Sequence, residues 1–124
     1  LAWRDGNAVQ TRRLAGYLSE CDEEIVIVAG DFNCSGNLFR LRSNAAHVRQ
    51  VDDALGRVGF TPLATKGSTF RSGLVRARLD RVYSRGATPV AGAIATTSRG
   101  SDHLPVSARF TLIAPSFEST RDGR

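Results

Sequence analysis

Residues 25–29 form a continuous apolar run, and this run constrains the fold more than any other feature of the sequence. Its first four residues are all β-branched, and Gly30 follows it. A run without polar alternation is typical of a strand that is buried on both faces in the middle of an α/β sheet. The sequence therefore predicts a central strand over residues 24–30.

Apolar residues at helical spacing flank this strand on both sides. Residues 7–21 carry an apolar stripe, with Asn7 as a candidate N-cap and Gln10 in the capping-box position. A second set of apolar residues recurs at helical spacing over residues 45–58, and Gly59 follows as a stop signal. The spacing predicts two helices that cover the same core.

From residue 61 onward the pattern changes to short β-type runs separated by Gly, Ser and Pro. These runs predict an antiparallel sheet with strands at residues 68–71, 76–84, 90–96 and 104–112. Residues 114–124 are polar and predict a flexible tail. The order of elements predicts a mixed α/β layer with helices on one face of the sheet and the other face in need of cover.

The composition is compatible with a single domain that binds phosphate. The chain has 124 residues, a formal charge of +5, and only one lysine among its 17 basic residues. Arginine suits phosphate because its planar fork matches two oxygens at once, although a general preference for Arg over Lys would give the same composition. No apolar run is long enough for a membrane span, and two cysteines without metal-type spacing favour a reducing, cytoplasmic-type compartment.

Three short segments carry residues suited to hydrolysis: GDFN at residues 30–33, RLDRVY at 78–83 and SDHLP at 101–105. Asp31 and Asn33 follow the end of a predicted strand, where α/β layers usually place their chemistry. The pair Asp102 and His103 adds a metal-capable carboxylate and an imidazole. A further carboxylate, Asp80, could orient that imidazole through its other ring nitrogen.

The ordered set GDFN, LDRVY and SDHLP resembles the second half of the endonuclease/exonuclease/phosphatase superfamily. The resemblance spans most of residues 7–112. It implies an α/β fold that is half of a two-layer β-sandwich flanked by helices, with α-β-β-α layering, formed by residues 1–113. It also implies hydrolysis of a phosphodiester or phosphomonoester with Mg²⁺, or Mn²⁺, as cofactor.

The resemblance also implies roles for individual residues. Asp31 would orient or deprotonate the attacking water, and Asn33 would hold that water and a phosphoryl oxygen. Asp80 would orient His103, which would contact the phosphate or move a proton. Asp102 would lie in the metal shell.

Two arginines complete the predicted site. Arg76 and Arg78 share a face of the predicted strand with Asp80, since side chains alternate along a strand. Their guanidinium groups are therefore candidate substrate ligands, and the basic chain weakly favours DNA or RNA as the phosphate-ester substrate.

The family draws an asparagine, its principal glutamate metal ligand and a second histidine from the first half of the domain, and no counterpart precedes Asn7. We therefore expect the parent protein to be an enzyme and the isolated chain to be inactive. The uncovered sheet face should pack against that first half or a second copy of the chain.

Two other functions remain open. The chain could be a non-catalytic half-domain that binds nucleic acid or a protein partner. Alternatively, Cys34 and Arg40 match the C-x5-R spacing of cysteine-dependent phosphatases, although the usual preceding His and following Ser or Thr are missing.

Overall fold

The computed structural model describes residues 2–34 and 42–112, and the predicted tail lies outside these ranges. The described part is mixed α/β, as predicted. None of its helices is long and apolar enough to cross a membrane. Its elements are α1 (Ala2–Ser19), β1 (Val26–Asp31), α2 (Arg42–Gly56), β2 (Thr61–Pro62), β3 (Phe70–Ser72), β4 (Val75–Ala77), β5 (Asp80–Arg85), β6 (Ala87–Ile94) and β7 (Val106–Leu112).

All strand pairs in the described ranges are antiparallel, and they form three small sheets. The first sheet has the order β1-β5-β2, while β3 pairs with β4 and β6 pairs with β7. The prediction that β1 is a central strand buried on both faces is wrong for this part of the chain. It lies at the edge of its sheet, and Ile27 is 48% exposed because only the opposite face packs under the helices.

The first helix begins earlier than its sequence pattern suggested. It starts at Ala2, so Asn7 lies inside the helix and does not cap it. The Asn7 side-chain amide instead donates a hydrogen bond to the carbonyl of Phe32, at 3.1 Å. This contact links α1 to the segment that follows β1. Asn7 therefore makes a tertiary contact and does not cap a helix.

The second helix ends close to the predicted stop. It runs from Arg42 to Gly56, and Gly59 adopts a positive φ of 90°. That conformation is accessible to glycine at little cost and reverses the chain direction. The reversal lets the Phe60 amide donate to the Leu55 carbonyl at 3.1 Å, which satisfies a carbonyl at the end of the helix.

The hydrophobic core lies between the two helices and the helix-facing side of β5. Tyr83 and Leu55 have no exposed surface, and the ring of Phe32 packs edge-on against Tyr83 with centroids 5.3 Å apart. The buried members of this core are Ala15, Leu18, Cys34, Val51, Leu55, Phe60 and Tyr83. This packing fixes β5, and therefore Asp80 at its start, relative to the helices.

Arg85, at the other end of β5, joins the C-terminal ends of both helices. Its guanidinium donates to the carbonyls of Leu18 at 2.9 Å, Cys21 at 2.7 Å and Val58 at 3.4 Å. It also stacks over the ring of Phe60, 5.1 Å from the centroid. A cation suits this position because helix C-termini present unpaired carbonyls and a partial negative charge.

Candidate active site

Three predicted site residues from distant segments lie together at the ends of β1 and β5. His103 donates a hydrogen bond from Nδ1 to Oδ2 of Asp80, at 2.8 Å. Its other ring nitrogen, Nε2, lies 4.0 Å from Oδ2 of Asp31. Asp31 and Asp80 are direct partners in the antiparallel register of β1 and β5. The imidazole therefore stands between two carboxylates.

This arrangement favours the protonated imidazole. The pKa of His103 is raised, chiefly by its hydrogen bond to Asp80, while partial burial opposes the rise. The charges of Asp80, Asp31 and Asp102 add to the increase. Two carboxylates placed opposite each other repel, so a cation between them offsets an unfavourable cross-strand pair.

Replacing Asp80 with asparagine should lower the pKa of His103 towards its ordinary value, because the hydrogen-bonded negative charge is lost. The raised pKa means that the pair stabilises the fold at pH below the unfolded pKa of histidine, and that this contribution is lost as pH rises through the folded pKa. NMR titration of the imidazole C–H signals measures the shift, with His47, the only other histidine, as internal reference. An unchanged His103 pKa in D80N would contradict this electrostatic account.

A buried threonine holds Asp80 in place. Thr69 is fully buried, and its hydroxyl oxygen accepts hydrogen bonds from the amides of Leu79 and Asp80, each at 3.0 Å. Its own amide donates to the Ala77 carbonyl at 2.9 Å, and its carbonyl accepts from Leu104 at 2.6 Å. Thr69 therefore links the start of β5 to the segment that carries His103.

Thr69→Val should destabilise the fold by about 2–4 kcal/mol, because two buried amides lose their acceptor while the side-chain volume is kept. Thr69→Ser retains the oxygen and should cost much less, so it serves as the matched control. Chemical denaturation monitored by circular dichroism gives both free energies of unfolding. A loss in Thr69→Val no larger than the loss in Thr69→Ser would show that the hydroxyl acceptor contributes no more to stability than the methyl group does.

The imidazole ring is also held from its other side. His103 bridges to Phe70, and the two rings pack edge-on with centroids 5.2 Å apart. The His103 amide donates to the Ser101 hydroxyl at 3.1 Å. Ring orientation is therefore fixed by an aromatic contact, a backbone bond and the carboxylate of Asp80 together.

Asn33 and Asp102 lie beside this group. Asn33 has a positive φ of 51°, a conformation that asparagine tolerates better than most residues. Its backbone amide donates to Oδ1 of Asp31 at 2.7 Å. This tight turn orients the Asp31 carboxylate. Asp102 is exposed, and its carbonyl accepts a hydrogen bond from the Arg71 amide at 2.8 Å.

The prediction that Arg76 and Arg78 share a strand face with Asp80 is wrong. The single strand expected over residues 76–84 is broken into β4 and β5, which belong to different sheets. At the break, the amides of Leu79 and Asp80 donate to the hydroxyl of Thr69. Arg76 is exposed on β4, while the guanidinium of Arg78 donates to the Thr65 carbonyl.

An open groove of about 580 Å³ runs past His103. Asp80 and His103 line it together with residues 97–99 of the loop between β6 and β7. The remaining lining residues are Ala29, Gly30, Arg81, Val82, Ser101, Leu104, Pro105 and Val106. A substrate in this groove would reach the imidazole from solvent.

The model of the endonuclease/exonuclease/phosphatase family matches residues 2–103, most of the chain. The chain belongs to this family. Searches among curated proteins and among solved structures gave no significant match. Members of the endonuclease/exonuclease/phosphatase family are generally hydrolases that act on phosphate esters.

The described part of this family member does not provide a complete metal centre. No group of three or more His, Cys, Asp or Glu side chains within it is arranged to hold a metal ion. Nδ1 of His103 is already bonded to Asp80, and a single exposed carboxylate at Asp102 is too little for Mg²⁺, which needs several oxygen ligands. Asp102 could therefore hold a divalent ion only together with further oxygen ligands.

Cys34 does not have the properties of a phosphatase nucleophile. It is 1% exposed, and burial raises the pKa of its thiol, although the nearby Arg81 guanidinium opposes this. A nucleophilic cysteine needs a lowered pKa and access to substrate. Arg40, the other half of the C-x5-R pattern, lies outside the described residues.

Several positioning residues carried no recognisable signal in the sequence. Thr69, Phe70 and Asn7 are residue types that are common in strands and helices, and their local patterns match those of ordinary structural positions. Only their hydrogen bonds and ring contacts to Asp80, His103 and Phe32 distinguish them.

Proposed function

We propose that this family member hydrolyses a phosphate ester, with His103 and Asp31 acting on the substrate and Asp80 orienting His103. The observation that carries the proposal is an imidazole that lies between two carboxylates and lines an open groove. Phosphoryl transfer depends mainly on positioning and on neutralising charge at the non-bridging oxygens. A protonated imidazole and an ionised carboxylate supply these two elements.

The distance between His103 and Asp31 suggests which role each residue has in the reaction. Attacking and leaving oxygens lie on opposite sides of the phosphorus in an in-line displacement. Nε2 of His103 and Oδ2 of Asp31 are only 4.0 Å apart, so they would contact neighbouring atoms on one side of the phosphorus. Nε2 of His103 would donate to a non-bridging oxygen, and Asp31 would orient the water. Asp31 would accept the proton of that water, which Asn33 helps to hold, as the new P–O bond forms and the P–O bond to the leaving alcohol breaks. The leaving oxygen would take its proton from solvent.

We propose further that turnover requires Mg²⁺ or Mn²⁺, with Asp102 contributing one ligand. Hard divalent ions prefer carboxylate oxygen, and Asp102 lies next to the catalytic histidine in the chain. The other ligands would come from the first half of the family domain. The isolated chain should then show negligible turnover, whereas the full-length parent protein should be active.

A phosphodiester, with nucleic acid favoured, is the proposed substrate. The net charge of +5 and the predominance of arginine support a polyanionic partner, since net positive charge raises the affinity for a phosphate backbone. The groove is open at the surface, so a chain-like substrate could pass through it.

The test is hydrolysis of bis(p-nitrophenyl) phosphate and of a short DNA duplex by the full-length parent protein. Turnover should require Mg²⁺ or Mn²⁺, stop with EDTA, and survive alkylation of cysteine. Activity that ignored EDTA but was lost on alkylation would transfer the chemistry to Cys34. Absence of all turnover would contradict the proposal.

A non-catalytic binding role is the second candidate, and the lack of a three-ligand metal group in the described residues favours it. Such a protein would bind nucleic acid or a partner without cleaving it. Gel-shift assays run beside the hydrolysis assays separate the two functions. Binding of DNA without turnover in any divalent metal would favour this candidate.

We also propose that another layer covers the open side of the sheets, supplied by the first half of the domain or by a second copy. Several large apolar side chains are exposed, including Ile27 at 48%, Val90 at 55% and Leu112 at 60%. Extended apolar patches are uncommon on soluble monomers. Light scattering of the isolated chain should therefore show association, and a stable monomer at high concentration would contradict this.

A further inference from the structure

The proposed site is short of positive charge. Asp80 lines the groove, and Asp31 and Asp102 act electrostatically on the same imidazole. Each carboxylate repels the phosphate that the proposed function places here. His103 alone, even when protonated, cannot offset three carboxylates. Without a divalent metal, a cationic side chain is therefore needed if the groove is to bind phosphate.

The two arginines predicted to bind substrate do not line the groove. The guanidinium of Arg78 is held by the Thr65 carbonyl, and Arg76 does not line the groove. Arg81 lines it, but its side chain is only 9% exposed and its guanidinium faces Asp52 at 3.8 Å. Among the described groove residues this leaves Arg99, whose side chain is exposed.

The loop that carries Arg99 is fixed at both of its ends. Arg71 donates from its guanidinium to the Thr96 carbonyl at 3.3 Å and from its amide to the Asp102 carbonyl at 2.8 Å. Within the loop, the Ser98 hydroxyl donates to the Ser101 carbonyl at 2.5 Å. A cation on such a braced turn costs less entropy to position on a ligand than one on a free loop.

We infer that Arg99 binds a non-bridging oxygen of the substrate phosphate, with Nε2 of His103 on the same phosphate group. A guanidinium can donate two parallel hydrogen bonds to phosphate oxygens, which a lysine cannot do. The inference rests on the proposed function. It assigns the phosphate-binding cation to the loop between β6 and β7, in place of Arg76 and Arg78.

The experiment uses inorganic phosphate as the probe and the isotope-labelled 124-residue chain as the receptor. Phosphate is titrated at neutral pH and constant ionic strength, and the amide NMR signals of the groove residues report the apparent Kd. Arg99→Ala should weaken binding about tenfold or more, and Arg99→Lys should lose less, because it keeps the charge without the fork. Arg109→Ala removes the same charge from an exposed position on β7 and should leave the Kd unchanged.

The outcomes separate the inference from the function on which it rests. If phosphate shifts the groove amides of the wild-type chain and Arg99→Ala binds equally well, the assignment of Arg99 is wrong and the proposed function stands. If Arg109→Ala weakens binding as much as Arg99→Ala, the effect is one of net charge and the assignment is again wrong. If phosphate leaves the groove amides of the wild-type chain unshifted, this groove does not bind phosphate and the inference is overturned, whereas the proposed function is tested separately by hydrolysis with the full-length parent protein.

Discussion

Replacing His103 with alanine is expected to lower phosphodiester turnover by the full-length parent protein by about 10²–10³-fold, the usual effect of removing a positioned donor to transition-state charge. Nε2 of His103 is the proposed donor, and contacts with Asp80 and Phe70 hold the ring that carries it. The fold should be largely unaffected, since His103 is only half-buried. Steady-state kinetics should show most of the loss in kcat, with circular dichroism as the check on folding.

Two further measurements make this prediction specific to His103. His47→Ala removes the other histidine, which lies on α2, and should leave turnover unchanged. Because the imidazole acts in its protonated form, wild-type activity should fall as pH rises above the raised His103 pKa. In Asp80→Asn this fall should move to lower pH. A His103→Ala variant with near wild-type kcat would remove His103 from the chemistry.

Replacing Gly86 with alanine is expected to have the largest effect on stability, a loss of at least about 4 kcal/mol that few small domains tolerate. Gly86 lies in the tight turn between β5 and β6 with a φ of 75°. A Cβ atom added there would overlap the backbone carbonyl of Glu24, and a backbone group cannot rotate away as a side chain can. Soluble expression and urea denaturation measure the loss.

Gly100 provides the matched control for this substitution. It has a similar φ of 73°, but a Cβ atom there would meet no atom within 4 Å. Gly100→Ala should therefore cost only the backbone strain of a left-handed residue, about 1–2 kcal/mol. Similar losses at the two positions would show that backbone strain alone, and not the overlap with Glu24, accounts for the effect at Gly86.

Much of the secondary structure could be predicted because its signals are local. The helix over residues 45–58 and its stop at Gly59 match α2 closely, since apolar spacing and glycine conformation act over a few residues. The position of β1 in its sheet could not be predicted. An apolar run shows that a segment avoids water, but the number of strands beside it depends on pairings with distant segments.

The candidate site, like the fold, could be predicted only in part from the sequence. Asp31, Asp80 and His103 could be selected from their motifs, because residue type limits which groups can hold a proton or orient a water. Arg76 and Arg78 were placed on the wrong surface, since the alternation rule assumed one unbroken strand. The strand is broken where the Thr69 hydroxyl accepts hydrogen bonds from two amides, and nothing in the sequence near Thr69 signals these bonds.

The sequence by itself determined the type of elements, the family and the chemical groups available for catalysis, because these depend on residue identity and short-range spacing. Only the tertiary structure decided which groups meet. The register that sets Asp31 opposite Asp80, and the bridge that brings His103 between them, join segments more than twenty residues apart. Such contacts form only when strands pair and loops close. The entropy cost of loop closure is offset by packing throughout the core, so no single motif predicts these contacts.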